Sequence, residues 1–396
     1  MFSHRVPADH TANRLSAAIE ARRAAGASLV DLTESNPTRC GFHQDERALL
    51  DALASPGALR YEPHPQGLLS ARAAVAAYYQ EAGTTVSTDS LFLTTGTSEA
   101  YGQVFKLLAD PDDEILVPTP GYPLLDVLTG LEAVRLVPYL LRHGAAGWAI
   151  DIERLRASIS TRTRAIVVVS PNNPIGAFLK RGELDAINDL CRRFDCALIV
   201  DEVFSDYASG PDEARVRTTA RNDAALTFTL NGFSKLVGLP QMKLGWIAVS
   251  GPAEAVRAAC ERLSFVTDAY LSVSAAVQHA APAIFRQRAH VQDQVNRRLE
   301  DNGRTLRECM APLSSCRVLA REGGWYAVVR IPDNVSDEDL VISLLERDGV
   351  LVHPGYFYDF PAGAFLVLSL LPDVETFRRG AVSLARHLRE SLAGVP

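Results

Sequence analysis

The stretch NGFSKLVGLPQMKLGW, residues 231–246, carries two lysines eight apart in an otherwise apolar segment. An amine just past a buried strand, Lys235, can form a covalent imine with a carbonyl group, and the second, Lys243, can balance an anionic group beside it. Three other stretches carry chemistry that fits. TTGTSEAYGQVF places Gly96, Thr97 and Ser98 at the opening of a helix, where free N–H groups and the positive dipole end suit a phosphate. SPNNPIGAFL sets the Asn173 amide in a turn stiffened by two prolines. Asp201 and Glu202 follow ALIV, at a strand end where a carboxylate is costly unless it meets a cation or a hydrogen-bond donor. Each has an ordinary alternative, a helix cap or an Asx turn. In this order, however, they supply a phosphate cradle, an amide, a carboxylate and an amine. That is the equipment for holding an aromatic cofactor phosphate and forming a Schiff base.

Such residues need a scaffold that brings strand ends together. Between residues 68 and 285, helical patterns alternate with seven short apolar runs: LFLTT, EILVP, RLVPY, AIVVVS, ALIVDE, ALTFTL and GWIAVS. Runs that are apolar throughout are what a sheet buried on both faces requires. The expected fold class is α/β, a large domain with a seven-stranded, mostly parallel sheet between helices, spanning 47–285. Ligands in such sheets sit at the carboxyl ends of the strands, where the residues above lie. A smaller α+β domain is expected from 1–46 and 286–396, joined by a polar-rich connecting helix, RQRAHVQDQVNRRLEDNGRTLRECMAPL. The N-terminal helix, with Leu15, Ala18 and Ile19 on one face and a stop at Gly26, should dock near that smaller domain.

The chain has 396 residues, 47% of them hydrophobic, so it can bury a large core. A net charge of -7 gives no basic field for nucleic acid or an anionic membrane, and small molecules are the expected partners. The opening MFSHRVPADHTANRL has no apolar leader, and no run approaches a membrane span, so a cytoplasmic location is expected. Six cysteines, Cys40, Cys191, Cys196, Cys260, Cys309 and Cys316, show no paired spacing, which argues against a zinc site or a disulfide framework.

With these motifs in hand, the chain resembles a pyridoxal-phosphate-dependent aminotransferase, class I/II, of the aspartate-aminotransferase fold (fold type I). The pattern runs through LTESNPT, RYEPHPQGLLSARAAVA, TTGTSEA, PTPGYPLL, SPNNPIG, IVDEVF, NGFSKLVGLPQMKLGW, GGWYAVV and VHPG, nearly the whole length. The resemblance implies that Lys235 is the Schiff-base lysine and proton carrier, and that Asp201 pairs with the nitrogen of the pyridine ring. It implies that Asn173 donates to the ring's phenolic oxygen, that Tyr122 stacks on the ring and that Gly96, Thr97 and Ser98 hold the phosphate. Tyr61 matches a tyrosine that reaches the phosphate from a second subunit, which implies a homodimer with shared sites. Pyridoxal 5'-phosphate is the implied cofactor, and an amino donor and a keto acceptor the implied partners.

Four departures bear on the site. Lys243 stands where the family usually has arginine, keeping the charge but losing two-pronged hydrogen bonding. Gly232 replaces a common hydroxyl, with Ser234 nearby. Phe204 replaces a common tyrosine and cannot hydrogen-bond the phenolic oxygen. Val367, in FLVLSLL, occupies the place of the arginine that clamps the substrate carboxylate in ordinary members. Arg39, in the SNPTRCGF loop with Ser35, is the nearest candidate replacement, and both are expected to line the substrate side. FVTDAYLSVS also lacks the arginine of dicarboxylate-specific relatives, with Thr267 and Asp268 in its vicinity. The expected activity is transfer of an amino group from an amino donor to a keto acceptor. A same-fold lyase or decarboxylase-like enzyme is the alternative, followed by a non-catalytic pyridoxal-phosphate sensor. The latter is disfavoured because no helix-turn-helix or basic segment precedes the domain.

Overall fold

The structure, a computed structural model, describes residues 2–7, 11, 13–144 and 147–392. All seven apolar runs form strands of one sheet. An eighth strand, Gly147–Ile150, extends it, so the expected count of seven is corrected to eight. The signal was weak because that strand is a short hairpin return at the sheet edge, pairing antiparallel with Arg135–Gly144.

The spatial order is Leu91–Thr94, Gly245–Ser250, Thr227–Gly232, Ala197–Asp201, Thr163–Val169, Glu114–Thr119, Arg135–Gly144 and Gly147–Ile150. The pairings from Thr227–Gly232 through Arg135–Gly144 are all parallel. Gly245–Ser250 runs antiparallel between Thr227–Gly232 and Leu91–Thr94, which makes Leu91–Thr94 point the same way as the parallel set. The strands ending in Thr94, Val169, Asp201 and Gly232 therefore deliver their carboxyl ends to one edge. Ala197–Asp201 and Thr227–Gly232 are buried along their whole length, as double-sided helix cover demands.

A close approach of three glycines fixes that edge. A Cβ placed on Gly245 would lie 2.9 Å from Gly96 Cα, and one on Gly232 would lie 3.0 Å from Gly245 Cα. A side chain at Gly245 would push away the opening of the Thr97–Leu108 helix, and one at Gly232 would part the lysine-bearing strand from Gly245–Ser250. This gives a packing reason for glycine at position 232.

The C-terminal segment forms a second, antiparallel sheet ordered Arg317–Val318, Tyr326–Ile331, Ala364–Ser369 and His353–Pro354. The helices Asp337–Asp348 and Val374–Leu392 belong to this part, and the long helix Arg288–Met310 connects it to the preceding chain. The N-terminal helix, Arg14–Ala24, is capped by Asn13 and docks where expected. Leu15 is buried, and Arg14 pairs with Glu338 and Asp339. The largest apolar cluster runs from Val328, Leu366 and Val367 across to Leu116, Ile166 and Leu198, so the core is continuous between the two sheets. Among the described residues, no helix is long and apolar enough to cross a membrane, no cluster of metal-binding side chains is present, and all six cysteines are free.

Candidate active site

Lys235 lies in a single helical turn, Phe233–Leu236, directly after the strand Thr227–Gly232. Its Nζ sits 5.0 Å from the centre of the Trp325 ring and 5.7 Å from that of Phe204. Enclosure by these rings disfavours the ammonium and brings the Lys235 pKa down to about 8, and the negative charge of Asp201 only partly opposes this. The result is an amine whose neutral fraction near neutrality is far larger than that of an ordinary lysine, as a nucleophile or a base requires.

Asp201 closes the neighbouring strand and is buried. Its Oδ1 accepts from the Val203 N–H at 3.1 Å and its Oδ2 from the Tyr101 hydroxyl at 3.1 Å. Burial nevertheless pushes it up to about 6, since two donors and the field of Lys235 do not replace full solvation. A carboxylate so placed gains by meeting a cation. Glu202, one residue on, is occupied by Thr219, whose N–H and hydroxyl donate at 2.6 and 2.9 Å. Strand alternation sends the two carboxylates to opposite faces, leaving Asp201 for the site.

Two segments meet at the turn expected to hold a phosphate. Gly96 has φ +152°, a conformation available to glycine, and no side chain caps the helix Thr97–Leu108 that it opens. Lys243 approaches the same turn, its Nζ 3.9 Å from where a Gly96 Cβ would stand. Lys243 itself adopts a left-handed backbone at φ +49°, unfavourable for a residue with a Cβ by about 1 kcal/mol. Ser98 lies in the first turn of the helix, while Ser234 lies beside Lys235 and is half-buried.

Asn173 sits in the turn after Thr163–Val169, whose last residue pairs with Asp201. Its Oδ1 is buried without a hydrogen-bond partner. Asn172 is turned away, donating to the Pro120 carbonyl at 3.3 Å. Tyr122 stands half-exposed near the Tyr326 and Tyr358 hydroxyls. Ser35 hydrogen-bonds the Tyr326 hydroxyl, and Tyr326 packs against Phe204 at 6.4 Å between ring centres.

Of the other positions singled out in the sequence, Tyr61 and Arg39 are exposed in the single chain, and Thr267, Asp268 and Val367 supply no cation. Tyr61 is 82% exposed, on a stretch that lines a separate cavity with His64 and His279. Arg39 points to solvent and makes one loose ion pair, Nη1 to Glu34 Oε2 at 3.7 Å. Thr267 is buried, bonded to carbonyls of its own helix, and Asp268 is exposed. Val367 is fully buried, paired in register with Val328 and His353, so no guanidinium enters from that strand.

Three site residues escaped the sequence reading. Tyr101 holds Asp201, Tyr207 donates its hydroxyl to the Lys235 carbonyl at 2.6 Å, and Trp325 faces the amine. The usable signals were local. Tyr101 lies one helical turn after Thr97, and Trp325 follows the glycine pair of GGWYAVV.

The aminotransferase class I and II model matches residues 28–375. Alanine aminotransferase of Mycobacterium tuberculosis is 31% identical over 88% of this chain and 83% of that protein. Glutamate-pyruvate aminotransferase AlaA of Escherichia coli is 26% identical over 92% of this chain and 91% of that one. A solved aminotransferase structure from Escherichia coli superposes with TM-score 0.86 at 26% identity, covering 98% of both chains. The chain belongs to the class I and II aminotransferases. It has their aspartate-aminotransferase fold, and it is an aminotransferase of the pyridoxal-phosphate-dependent class. The residues present fit that cofactor: an uncapped helix opening beside a lysine for a phosphate, a buried carboxylate short of a cation and a depressed amine.

Proposed function

We propose that this enzyme exchanges an amino group between a small 2-amino acid of the alanine type and a 2-oxo acid, with Lys235 as covalent anchor and proton carrier. The observation carrying the site assignment is the enclosed Lys235 amine beside the buried Asp201. The substrate class is supported by the alanine and glutamate–pyruvate aminotransferases that the chain resembles over most of its length.

Bound pyridoxal 5'-phosphate supplies an electron sink for the charge left when the substrate Cα loses its proton. Gly96, Thr97, Ser98 and Lys243 would hold the phosphate, and Asn173 and Asp201 the two polar edges of the ring. Asp201 would favour a protonated ring nitrogen, a cation that would also relieve its own uncompensated burial. Tyr122 covers the ring face, and Phe204 offers an apolar edge without a donor. Lys235 would anchor the cofactor and, once free, its neutral amine would carry the substrate proton.

On the substrate side we assign Ser35, with Tyr326, and Arg39. The single contact of Arg39 with Glu34, at 3.7 Å and 74% exposure, is worth little, so Arg39 can exchange it for a substrate carboxylate. Tyr61 serves the site of a second copy, making the working form a homodimer. Borohydride reduction followed by peptide mass spectrometry tests the anchor: the adduct belongs on the Lys235 peptide, and an adduct on Lys243 overturns the assignment. A panel of amino donors, read by loss of the cofactor's visible band, tests the substrate class.

A further inference from the structure

Behind the connecting helix lies a 540 Å³ cavity unrelated to the Lys235 site, and four arginines line it: Arg304, Arg307, Arg317 and Arg321. Arg304 and Arg307 share one face of the helix Arg288–Met310, three residues apart. The short strand Arg317–Val318 and the loop after it bring Arg317 and Arg321 to the opposite wall. Glu300 is the only carboxylate lining the cavity.

The charges do not balance. Arg304 is bound to Asp301 at 3.1 Å, but Arg307, Arg317 and Arg321 have no ion pair among the described residues. The Arg321 guanidinium is spent on main-chain carbonyls, Gly324 at 3.0 Å and Leu299 at 3.4 Å. Its burial and the like charge of Arg307 both work against its protonation and bring its pKa down to about 10. Arg307 and Arg317 are left as unpaired guanidiniums at one cavity, each a planar fork matched to phosphate or carboxylate oxygens, and Arg321 adds its positive charge from behind the main-chain carbonyls it binds. Leu299, Leu306 and Leu319 add apolar wall, as a small-molecule site requires.

We propose that this cavity is a second ligand site, which binds a small polyanion with at least two negative charges, carried by phosphate or carboxylate groups. It is independent of the assignments around Lys235, and no substrate chemistry takes place there.

The test is calorimetric titration of inorganic pyrophosphate into the cofactor-saturated, desalted enzyme at ionic strength fixed with sodium chloride. Saturable binding of one pyrophosphate per chain is expected. Arg307 and Arg317 are exposed, so the double variant Arg307→Gln/Arg317→Gln should fold and transfer amino groups at the normal rate. It should bind pyrophosphate on the order of 100-fold more weakly, about tenfold for each lost charge-assisted contact. Arg317→Lys, which keeps the charge but not the fork, should fall between. Absence of saturable binding at millimolar pyrophosphate overturns the proposal. So does equal affinity in the wild type and the double variant, which would place the anion elsewhere. Running the same titration with citrate separates a phosphate ligand from a carboxylate one.

Discussion

The Tyr101 hydroxyl donates to Asp201 Oδ2 at 3.1 Å, so the helix that opens at Gly96 also holds the carboxylate on the neighbouring part of the sheet. Thr97 and Tyr101 are four residues apart and share a helix face, which ties the phosphate cradle and Asp201 to one rigid element. Tyr101→Phe removes one of two donors to Asp201 and leaves its size almost unchanged. Asp201 then titrates above its present value of about 6, so the anion needs a higher pH to form. The acid limb of the kcat/KM profile should move to higher pH, with a loss of roughly tenfold at neutrality, the worth of one hydrogen bond to a charged group. A Tyr101→Phe enzyme with lowered thermal stability but an unmoved acid limb would reduce Tyr101 to a packing role.

Lys235 gives a second pH signature. Capture of pyridoxal phosphate by the cofactor-free protein needs the neutral amine, whose pKa is about 8. The capture rate should rise about tenfold per pH unit below that value and level off above it. Lys235→Met should show no such capture. Linkage has the matching sign. Between about 8 and 10.5 the unfolded chain holds the Lys235 proton more tightly than the folded one, so this residue's contribution to stability grows with pH across that window. Stopped-flow absorbance across the pH range gives the midpoint, and one above 10 would mean that the enclosure seen around the amine does not govern it.

Lys243 stands close to Gly96 in a left-handed backbone conformation, and the place proposed for it beside the phosphate predicts a cofactor-affinity defect when it is removed. Lys243→Ala should raise the cofactor dissociation constant by roughly ten- to hundredfold, the range for losing one charge-assisted contact. Equilibrium dialysis of the reduced-load enzyme measures it, and unchanged retention would take Lys243 out of the cradle.

The strand ends were legible because the central strands are buried on both faces and read as unbroken apolar runs. Residues such as Asp201 and Lys235 then stand out as polar exceptions just where the chain leaves the core. The strand Gly147–Ile150 was not legible, since an edge return is short and only partly buried. Tyr101 and Tyr207 were missed for another reason. Their partners, Asp201 Oδ2 and the Lys235 carbonyl, are set by sheet order and chain path, and no local spacing encodes them. Arg39 shows the opposite limit. Its type and loop were readable, but the direction of a long flexible side chain is decided by neighbours such as Glu34.

Phe204 packs edge-on to Trp325 at 5.3 Å and lies 5.7 Å from the Lys235 amine, so its ring borders the site without offering a donor. Phe204→Tyr adds a hydroxyl there. A donor to the cofactor's phenolic oxygen stabilises its anion, and the titration midpoint of the bound cofactor's visible absorption should fall, by about one unit for one hydrogen bond to a charged group. Spectrophotometric titration of both proteins decides this, and an unmoved midpoint would show that position 204 does not reach the phenolic edge.

Val367 is fully buried between Val328 and His353 in the C-terminal sheet, where an unpartnered carboxylate would cost several kcal/mol to bring in. The groups proposed for substrate recognition are instead Arg39, beside Glu34, and Ser35 with the Tyr326 hydroxyl. If Arg39 takes the substrate carboxylate, Arg39→Ala should lower kcat/KM for the best amino donor by roughly 2 to 5 kcal/mol of transition-state stabilisation, as when one partner of a desolvated charge pair is removed. Cofactor affinity should stay as it is, because Arg39 touches neither the Gly96 turn nor Asp201. Glu34→Gln supplies the complementary test, since freeing Arg39 from its ion pair should lower KM for a carboxylate substrate. Unchanged kinetics in Arg39→Ala would assign carboxylate binding to main-chain and hydroxyl donors around Ser35 and Tyr326, and Tyr326→Phe would then carry the loss instead.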